Sequence, residues 1–557
     1  MGDQEYKGLV VSDFNSDNFA ASLNNDDESP IGHVTAAPFG QVMQVLIGDG
    51  EQYWEQDLDF AVVWTQPQAV IDSFNHFVSY ESTSVDSLLE QVDAYCSLLV
   101  NLKDKVKFAF VPTWVWPSYD RGLGMLDVKR GIANILMQMN LRLAANLTNA
   151  PNIYVLNAGR WIEVAGQNAF HPKLWYMGKI PFGNDVFREA VKDIKSVLRA
   201  ISGASKKLVI LDLDDTLWGG TVGELGWKNL RLGGHDPIGE AYVDFQRALK
   251  SLTNRGILLG IVSKNEESVA LEAIENNPEM VLRLPHFAGW KINWSDKAKN
   301  VVDLVSELNL RLESAVFIDD NPVEWARVRE TLPQVLVPEW PDDRMLYKKT
   351  LLSLTCFNSL AITEEDLKRT RMYVSERERA NSRRTVQSLD EWLKSLATRV
   401  RIDELNGLNL QRAVQLLNKT NQMNLTTRRM TESELLTWAR QEGRKLWTFR
   451  VADKFGDAGL TGIISLEMEN ERARITDFIL SCRVMGRKVE EVMLYTVIKF
   501  AESAGLKEVW AKYLPTSSNK PCLEFWRKSG FDFGEEERLF HWRGGNYPLP
   551  EAIQIDS

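Results

Sequence analysis

The chain has 557 residues, 44% hydrophobic and 25% charged, with 35 glycines and 19 prolines. That composition excludes collagen-like, low-complexity and wholly disordered classes, and at roughly 100–200 residues per domain it implies three or four domains rather than one core. The formal net charge of −11 is unevenly spread: residues 1–100 carry seventeen acids and one base, Lys7, so the remainder is +5.

This balance speaks against nucleic-acid binding, and an acidic partner would have to dock beyond the first hundred residues. No apolar run reaches the roughly 18–20 residues that cross a bilayer, and MGDQEYKGLVVSDFNSD lacks the basic and apolar regions of a secretory signal. No membrane association and a cytoplasmic location are therefore expected. The four cysteines, Cys96, Cys356, Cys482 and Cys522, form no CxxC pair, so reduced thiols are expected rather than disulfides or zinc ligands.

Along the chain, apolar strand-like runs at 42–47 (VMQVLI), 60–64, 106–114 and 152–158 alternate with helical patterns at 84–103 and 127–146, which predicts an α/β unit over residues 1–200. A second α/β unit, 201–345, opens at KKLVILDLDDT and runs through GILLGIVS (256–263) to AVFIDD (315–320). Residues 346–400 read as a helical connector, charge-dense and solvated over 360–390. Over 401–545, strands (LWTFRVAD, AGLTGIISLEM, ARITDFILSC) mix with helices at 405–418 and 486–503, an α+β pattern.

The sharpest chemical signal is LVILDLDDTLWGG at 208–220. An apolar strand delivers Asp212 and Asp214 to its carboxyl end, on one side, with Thr216 in the following turn; ligands of open α/β sheets bind at that edge. Two such carboxylates suit a division of labour in which one attacks phosphorus and the other protonates the leaving oxygen. They need a cation to face a phosphate. FIDDNPVE (317–324) offers further oxygen ligands in Asp319 and Asp320, with Glu324 beyond, a donor set that favours Mg²⁺. Ser263, Lys264 and Lys297 lie between and can hold phosphate oxygens. Only 46 residues separate Thr216 from Ser263, too few for a large cap domain.

In this order, DxDxT, Ser, Lys and DD with a trailing acid, the sequence resembles the haloacid dehalogenase (HAD) phosphotransferases. By that resemblance Asp212 is the nucleophile, and Asp214 the general acid/base and a metal ligand through its carbonyl. Asp319 is a metal ligand, with Asp320 or Glu324 in support, and Ser263 and Lys297 hold phosphate. LDLDDTLWGGTVGELG, INWSDKAKN, LLNKTNQMNLTTRR and DFILSCRVMGR further resemble the FkbH-like family from about residue 170 to 540. The resemblance implies transfer of a glyceryl unit from 1,3-bisphosphoglycerate, with loss of phosphate, to the phosphopantetheine thiol of an acyl carrier protein in polyketide-type biosynthesis. It also implies a degenerate SGNH-hydrolase-like N-terminal domain. Which phosphate the HAD site removes is left open.

Such chemistry needs a nucleophilic thiol. Cys482 is the candidate, because it ends a predicted strand just before a helix and lies beside Arg483 and Arg487, features that lower a thiol pKa. The region also resembles a GNAT acetyltransferase, whose (Q/R)xxGx(G/A) loop matches RVMGRK (483–488) at Arg483 and Gly486 but not at Lys488, a departure that weighs against coenzyme A. Asn421, Gln422, Asn424, Arg428 and Arg429 could hold glyceryl hydroxyls or a phosphate, or form a polar turn. In the N-terminal region Ser12 stands where an SGNH serine would, but residue 168, three before His171, is Asn, so the triad is incomplete. The alternatives to a glyceryl transferase are a phosphatase fused to a coenzyme A-dependent acetyltransferase and a non-catalytic docking scaffold.

Overall fold

Five apolar runs of the N-terminal region pair as one parallel sheet: β1 (Glu5–Ser12), β2 (Ile31–Ala36), β3 (Phe60–Trp64), β4 (Phe108–Pro112) and β5 (Ile153–Leu156), in the order β2-β1-β3-β4-β5. The structure is a computed structural model and describes residues 5–47, 51–54, 57–120, 122–123, 126–150, 152–360, 362, 364–384, 386, 388–516 and 518–556. Alternate strand residues face opposite sides. Leu9, Val11, Ala61 and Val63 pack under the helices Val85–Val100 and Ile132–Leu147, whereas Val10, Phe60, Val62 and Trp64 pack under Asp17–Asn24 and Asn184–Ile201. Helices on both faces explain why FAVVW is continuously apolar instead of alternating.

One expectation fails here. VMQVLI is not a strand but the helix Val42–Ile47, with Val42, Val45 and Leu46 buried. Their spacing is that of one helix face, which a six-residue apolar run does not distinguish from a buried strand.

The chain divides into two compact units, Met1–Lys206 with Leu352–Ala361, and Lys207–Leu351 with Ile362–Ser557. The second opens with β6 (Leu208–Leu211), β7 (Leu258–Ser263), β8 (Phe287–Ile292) and β9 (Ala315–Ile318), all parallel, in the order β8-β7-β6-β9. The chain steps from β6 outward to β8, then returns to the other flank of β6 as β9. That reversal opens a crevice at the carboxyl ends of β6 and β9, the place where such sheets bind ligands. Between β6 and β7 the helices are the short Val222–Leu225, a 3₁₀ turn and Pro237–Thr253, the last started by Asp236 accepting from Gly239 N and by Pro237 in its first turn. Among the described residues, no large cap covers the crevice.

The same unit continues into a mixed sheet: β10 (Thr398–Glu404), β11 (Met423–Asn424), β12 (Arg444–Asp453), β13 (Gly456–Glu469), β14 (Arg472–Leu480), β15 (Glu508–Lys512), β16 (Asp532–Gly534), β17 (Leu539–Trp542) and β18 (Ile553–Asp556). β14 pairs with β15 in parallel only over Arg472–Ile475, and β11 takes up its Ile479–Leu480 end. The helix Val489–Ser503 follows β14 and buries Val489, Met493 and Val497 in the core of this sheet. These are the multidomain α/β and α+β classes expected from the pattern.

The helix Glu364–Arg384 departs from its expected solvated character. Ser375 and Arg379 are buried, Arg377 Nη1 donates to Phe287 O of β8 at 2.9 Å, and Ser375 Oγ donates to Phe455 O at 3.0 Å. Charge density alone does not expose a helix when its cations find buried partners. Among the described residues, no helix is long and apolar enough to cross a membrane.

Candidate active site

β6 and β9 end side by side, and the residues that follow them meet. One carboxylate oxygen from each of Asp212, Asp319 and Asp320 lies within 4.8 Å of the others. Lys297 enters from the first turn of the helix Lys297–Glu307, whose cap Asp296 accepts from Lys299 N at 3.1 Å. Its Nζ donates to Asp319 Oδ2 at 2.6 Å and lies 2.8 Å from Asp212 Oδ2, with the lysine side chain 4% exposed. Burial opposes this charge, but Asp212 and Asp319 outweigh it and raise the lysine pKa. Burial and then the Asp212 charge push Asp319 up to about 7, and burial with the charges of Asp212 and Asp215 pushes Asp320 up to about 6.

A Mg²⁺ ion fits these residues. The donors are three carboxylates, the hard oxygen set this cation takes, and Asp212 Oδ1 is buried with no hydrogen-bond partner among the described residues. Asp320 joins the cluster, whereas Glu324 accepts from Lys264 Nζ at 2.5 Å.

The Asp214 carboxylate turns away from the cluster. Oδ1 accepts from Trp218 Nε1 at 2.8 Å and Val222 N at 3.0 Å, and Oδ2 accepts from Asn265 Nδ2 at 3.0 Å. Burial raises its pKa, against the pull of those bonds. Asn265 Nδ2 also reaches Ser263 Oγ at 3.2 Å, tying the end of β7 to Asp214. Thr216 Oγ1 donates to Asp320 at 3.3 Å. Between the two halves of the motif Asp215 adopts φ +53°, a conformation that side chains disfavour. Tyr242 and Tyr347 hydroxyls donate to its carbonyl at 3.1 and 3.3 Å, and Gly220 N donates to its carboxylate at 3.1 Å, which holds the turn.

The polar segment 417–429 is organised differently. Asn424 is fully buried, its Nδ2 donating to Thr420 O and its Oδ1 accepting from Thr427 N at 2.8 Å, so it shapes the turn. Arg428 pairs with the buried Asp477 and lies 4.6 Å over Trp438. Asn421 accepts from Arg429, and Gln422 is exposed. Arg483 Nε donates to Ser481 Oγ at 3.2 Å. Arg487 is buried with Asp453 and Glu376, and Asp453 also takes both Nε and Nη2 of Arg379. Arg379 and Arg487 are thus held inside by carboxylates and not displayed as surface charge.

The backbone at Cys482–Val484 is a short 3₁₀ turn between β14 and the helix Val489–Ser503, but the Cys482 side chain lies outside the described residues. The other thiols are unsuited to attack: burial pushes Cys96 and Cys356 up to about 11 and raises Cys522 further. In the N-terminal unit Ser12 Oγ is buried and donates to Phe14 O at 2.6 Å, and exposed His171 accepts from Leu174 N at 3.3 Å as a helix cap.

Gly486, in the RVMGRK loop, donates its N–H to Glu490 Oε1 at 2.6 Å. Glu490 is 3% exposed, its Oε2 has no partner among the described residues, and burial pushes its carboxyl from 4.5 up to about 7. In the unfolded chain it ionises near 4.5, so between about 4.5 and 7 the folded state holds the extra proton. Stability contributed at this site therefore falls as pH rises through that window, and the loss is complete above it. Glu490→Gln keeps an accepting oxygen and removes the buried charge. It is expected to stabilise the chain by about 1–3 kcal/mol at pH 8 and several-fold less near pH 5. Denaturant unfolding at the two pH values checks this; a variant less stable than the parent at pH 8 would contradict it.

No protein-family profile and no curated protein matches the chain. Among solved structures it is similar to the N-terminal part of the protein BF1531 from Bacteroides fragilis, containing a phosphatase domain and complexed with Mg, at 27% identity. That match covers 64% of this chain and 95% of the other, with a TM-score of 0.58. Over 26% of its length the chain is also similar to ribosomal-protein-S18-alanine N-acetyltransferase from Escherichia coli (11% identity, 93% of that chain, TM-score 0.21). An acetyltransferase of the GNAT family from Staphylococcus aureus Mu50 matches over the same share (12% identity, 98% of that chain, TM-score 0.21).

Proposed function

We propose that the Asp212 centre is a Mg²⁺-dependent phosphoryl-transfer site and that the chain couples phosphate removal to acyl transfer. The observation that carries this is the largely buried cluster of Asp212, Asp319 and Asp320 around Lys297, with an Asp212 oxygen that has no partner among the described residues at the sheet's switch point. The similarity to a Mg-complexed phosphatase-domain structure supports it. When bound by these carboxylates, Mg²⁺ supplies the positive charge that lets a phosphate approach them. Asp212 forms its O–P bond as the bond from phosphorus to the leaving oxygen breaks, and Asp214, whose pKa burial raises, gives that oxygen its proton. Water then attacks the aspartyl phosphate while Asp214 takes a proton back. Lys297 holds the Asp212 carboxylate in place through both steps.

The substrate proposed is 1,3-bisphosphoglycerate, with the glyceryl group passing as a thioester on Cys482 to the phosphopantetheine arm of an acyl carrier protein in the cytoplasm. An acyl phosphate is an activated carboxyl, and one thioester exchanges for another at little cost. Glu490 favours this over a coenzyme A-dependent acetyltransferase. The Gly486 amide that would meet a pyrophosphate already donates to a carboxylate. Intact-mass analysis after incubation with 1,3-bisphosphoglycerate and Mg²⁺ is expected to show a thiol-labile glyceryl adduct on the parent and none on Cys482→Ala. An adduct that survives the substitution, or none on the parent, would refute the thioester step.

A further inference from the structure

The second unit holds a cleft of about 1260 Å³ that none of Asp212, Asp214, Asp319 and Asp320 lines. Its walls come from β8, the helix Glu364–Arg384, the start of the helix Leu410–Lys419 and the turn joining β12 to β13. Eight cationic side chains line it against four acidic ones. The acids have partners: Glu307 pairs with Lys291 at 2.5 Å, Asp457 with Arg450 at 2.7 Å, and Glu376 with Arg379 at 3.0 Å, while Glu267 accepts from Trp290 Nε1 at 2.8 Å.

Two arginines of the helix stand apart from those pairs. Arg377 is half-buried, lies 4.2 Å over the Trp290 ring, donates to Phe287 O, and makes no ion pair with a carboxylate among the described residues. Burial lowers its pKa, with only Glu378 opposing, so the guanidinium is desolvated without a counter-charge in contact. Arg371, exposed at the cleft, likewise makes no ion pair among the described residues. In the same cleft the partly exposed Met372 and Phe455 and the exposed Leu408 present apolar surface.

We propose that this cleft binds an organic phosphate ester, its head held by Arg371 and Arg377 and its carbon chain lying along the apolar wall. Guanidinium groups match phosphate oxygens in pairs. The apolar wall would gain nothing from inorganic phosphate, and the volume exceeds the roughly 300–1,000 Å³ of common small-molecule pockets, which suits an extended ligand. The site is separate from the Asp212 centre, and its occupancy does not depend on the chemistry there.

The test is calorimetric titration of the full-length chain in EDTA with n-hexyl phosphate and with inorganic phosphate. Hexyl phosphate is expected to saturate one site and to bind at least about tenfold more tightly than inorganic phosphate. Arg371→Glu and Arg377→Gln are each expected to weaken it by about tenfold or more. Arg371 is exposed, so its variant keeps the test valid should Arg377→Gln disturb packing on β8. Absence of saturable binding, equal affinity for the two probes, or binding lost in Asp212→Asn but intact in Arg371→Glu would overturn the proposal.

Discussion

Asp212→Asn is expected to lower Mg²⁺-dependent phosphate release from an acyl phosphate by at least about 10³-fold without unfolding the chain. The amide has nearly the shape of the carboxylate and its carbonyl can still face Lys297, which keeps Asp319 as a full partner at 2.6 Å. What is lost is the attacking oxygen. Asp214→Asn is expected to cost less, about 10²–10³-fold on an alkyl phosphate, because it removes a proton donor and not the nucleophile. That penalty should shrink for the acyl phosphate, whose carboxylate leaving group needs no proton. Release rates for the two variants on both substrates separate the roles. Unchanged release in Asp212→Asn would reduce the cluster to a metal-binding or structural feature.

Lys297→Met is expected to destabilise the metal-free chain by about 3–5 kcal/mol at pH 8. The side chain is 4% exposed and touches two carboxylates, so its loss leaves negative charges facing one another in a buried crevice. The deficit should shrink in acid. Asp319 and Asp320 already have raised folded-state pKa values, about 7 and 6, and losing the cation raises Asp319 further. A carboxyl with a raised folded pKa favours the folded state less as pH climbs toward that value, and the penalty fades as pH falls and the group is protonated. Added Mg²⁺ should recover more stability in the variant than in the parent, since a divalent cation replaces the missing charge. Unfolding curves at pH 6 and 8, with and without Mg²⁺, check this; a pH-independent loss would point to packing instead.

The cluster was legible because spacing along a strand dictates which side chains reach its end. Asp212 just past β6 and Asp319 just past β9 needed only the α/β rhythm to be placed. What spacing could not choose was between Asp320 and Glu324, because that depends on Lys264 taking Glu324 into an ion pair from another loop. Asn265 and Trp218, which hold the Asp214 carboxylate, escaped notice although each lies within a few residues of a motif; a polar residue two positions past a strand's last serine was the available signal. Charge-dense residues 364–384 misled most. A run of arginines looks solvated until Asp453, more than seventy residues from Arg379, is seen to take that guanidinium inside. The VMQVLI helix failed for the opposite reason, since six apolar residues satisfy either period.

The most direct measurement is borohydride reduction of the enzyme quenched during turnover of an acyl phosphate, followed by peptide mapping. An aspartyl phosphate is reduced to homoserine, so the account predicts homoserine at position 212, dependent on Mg²⁺ and absent without substrate. Homoserine at another aspartate, or phosphate released with none formed, would contradict it.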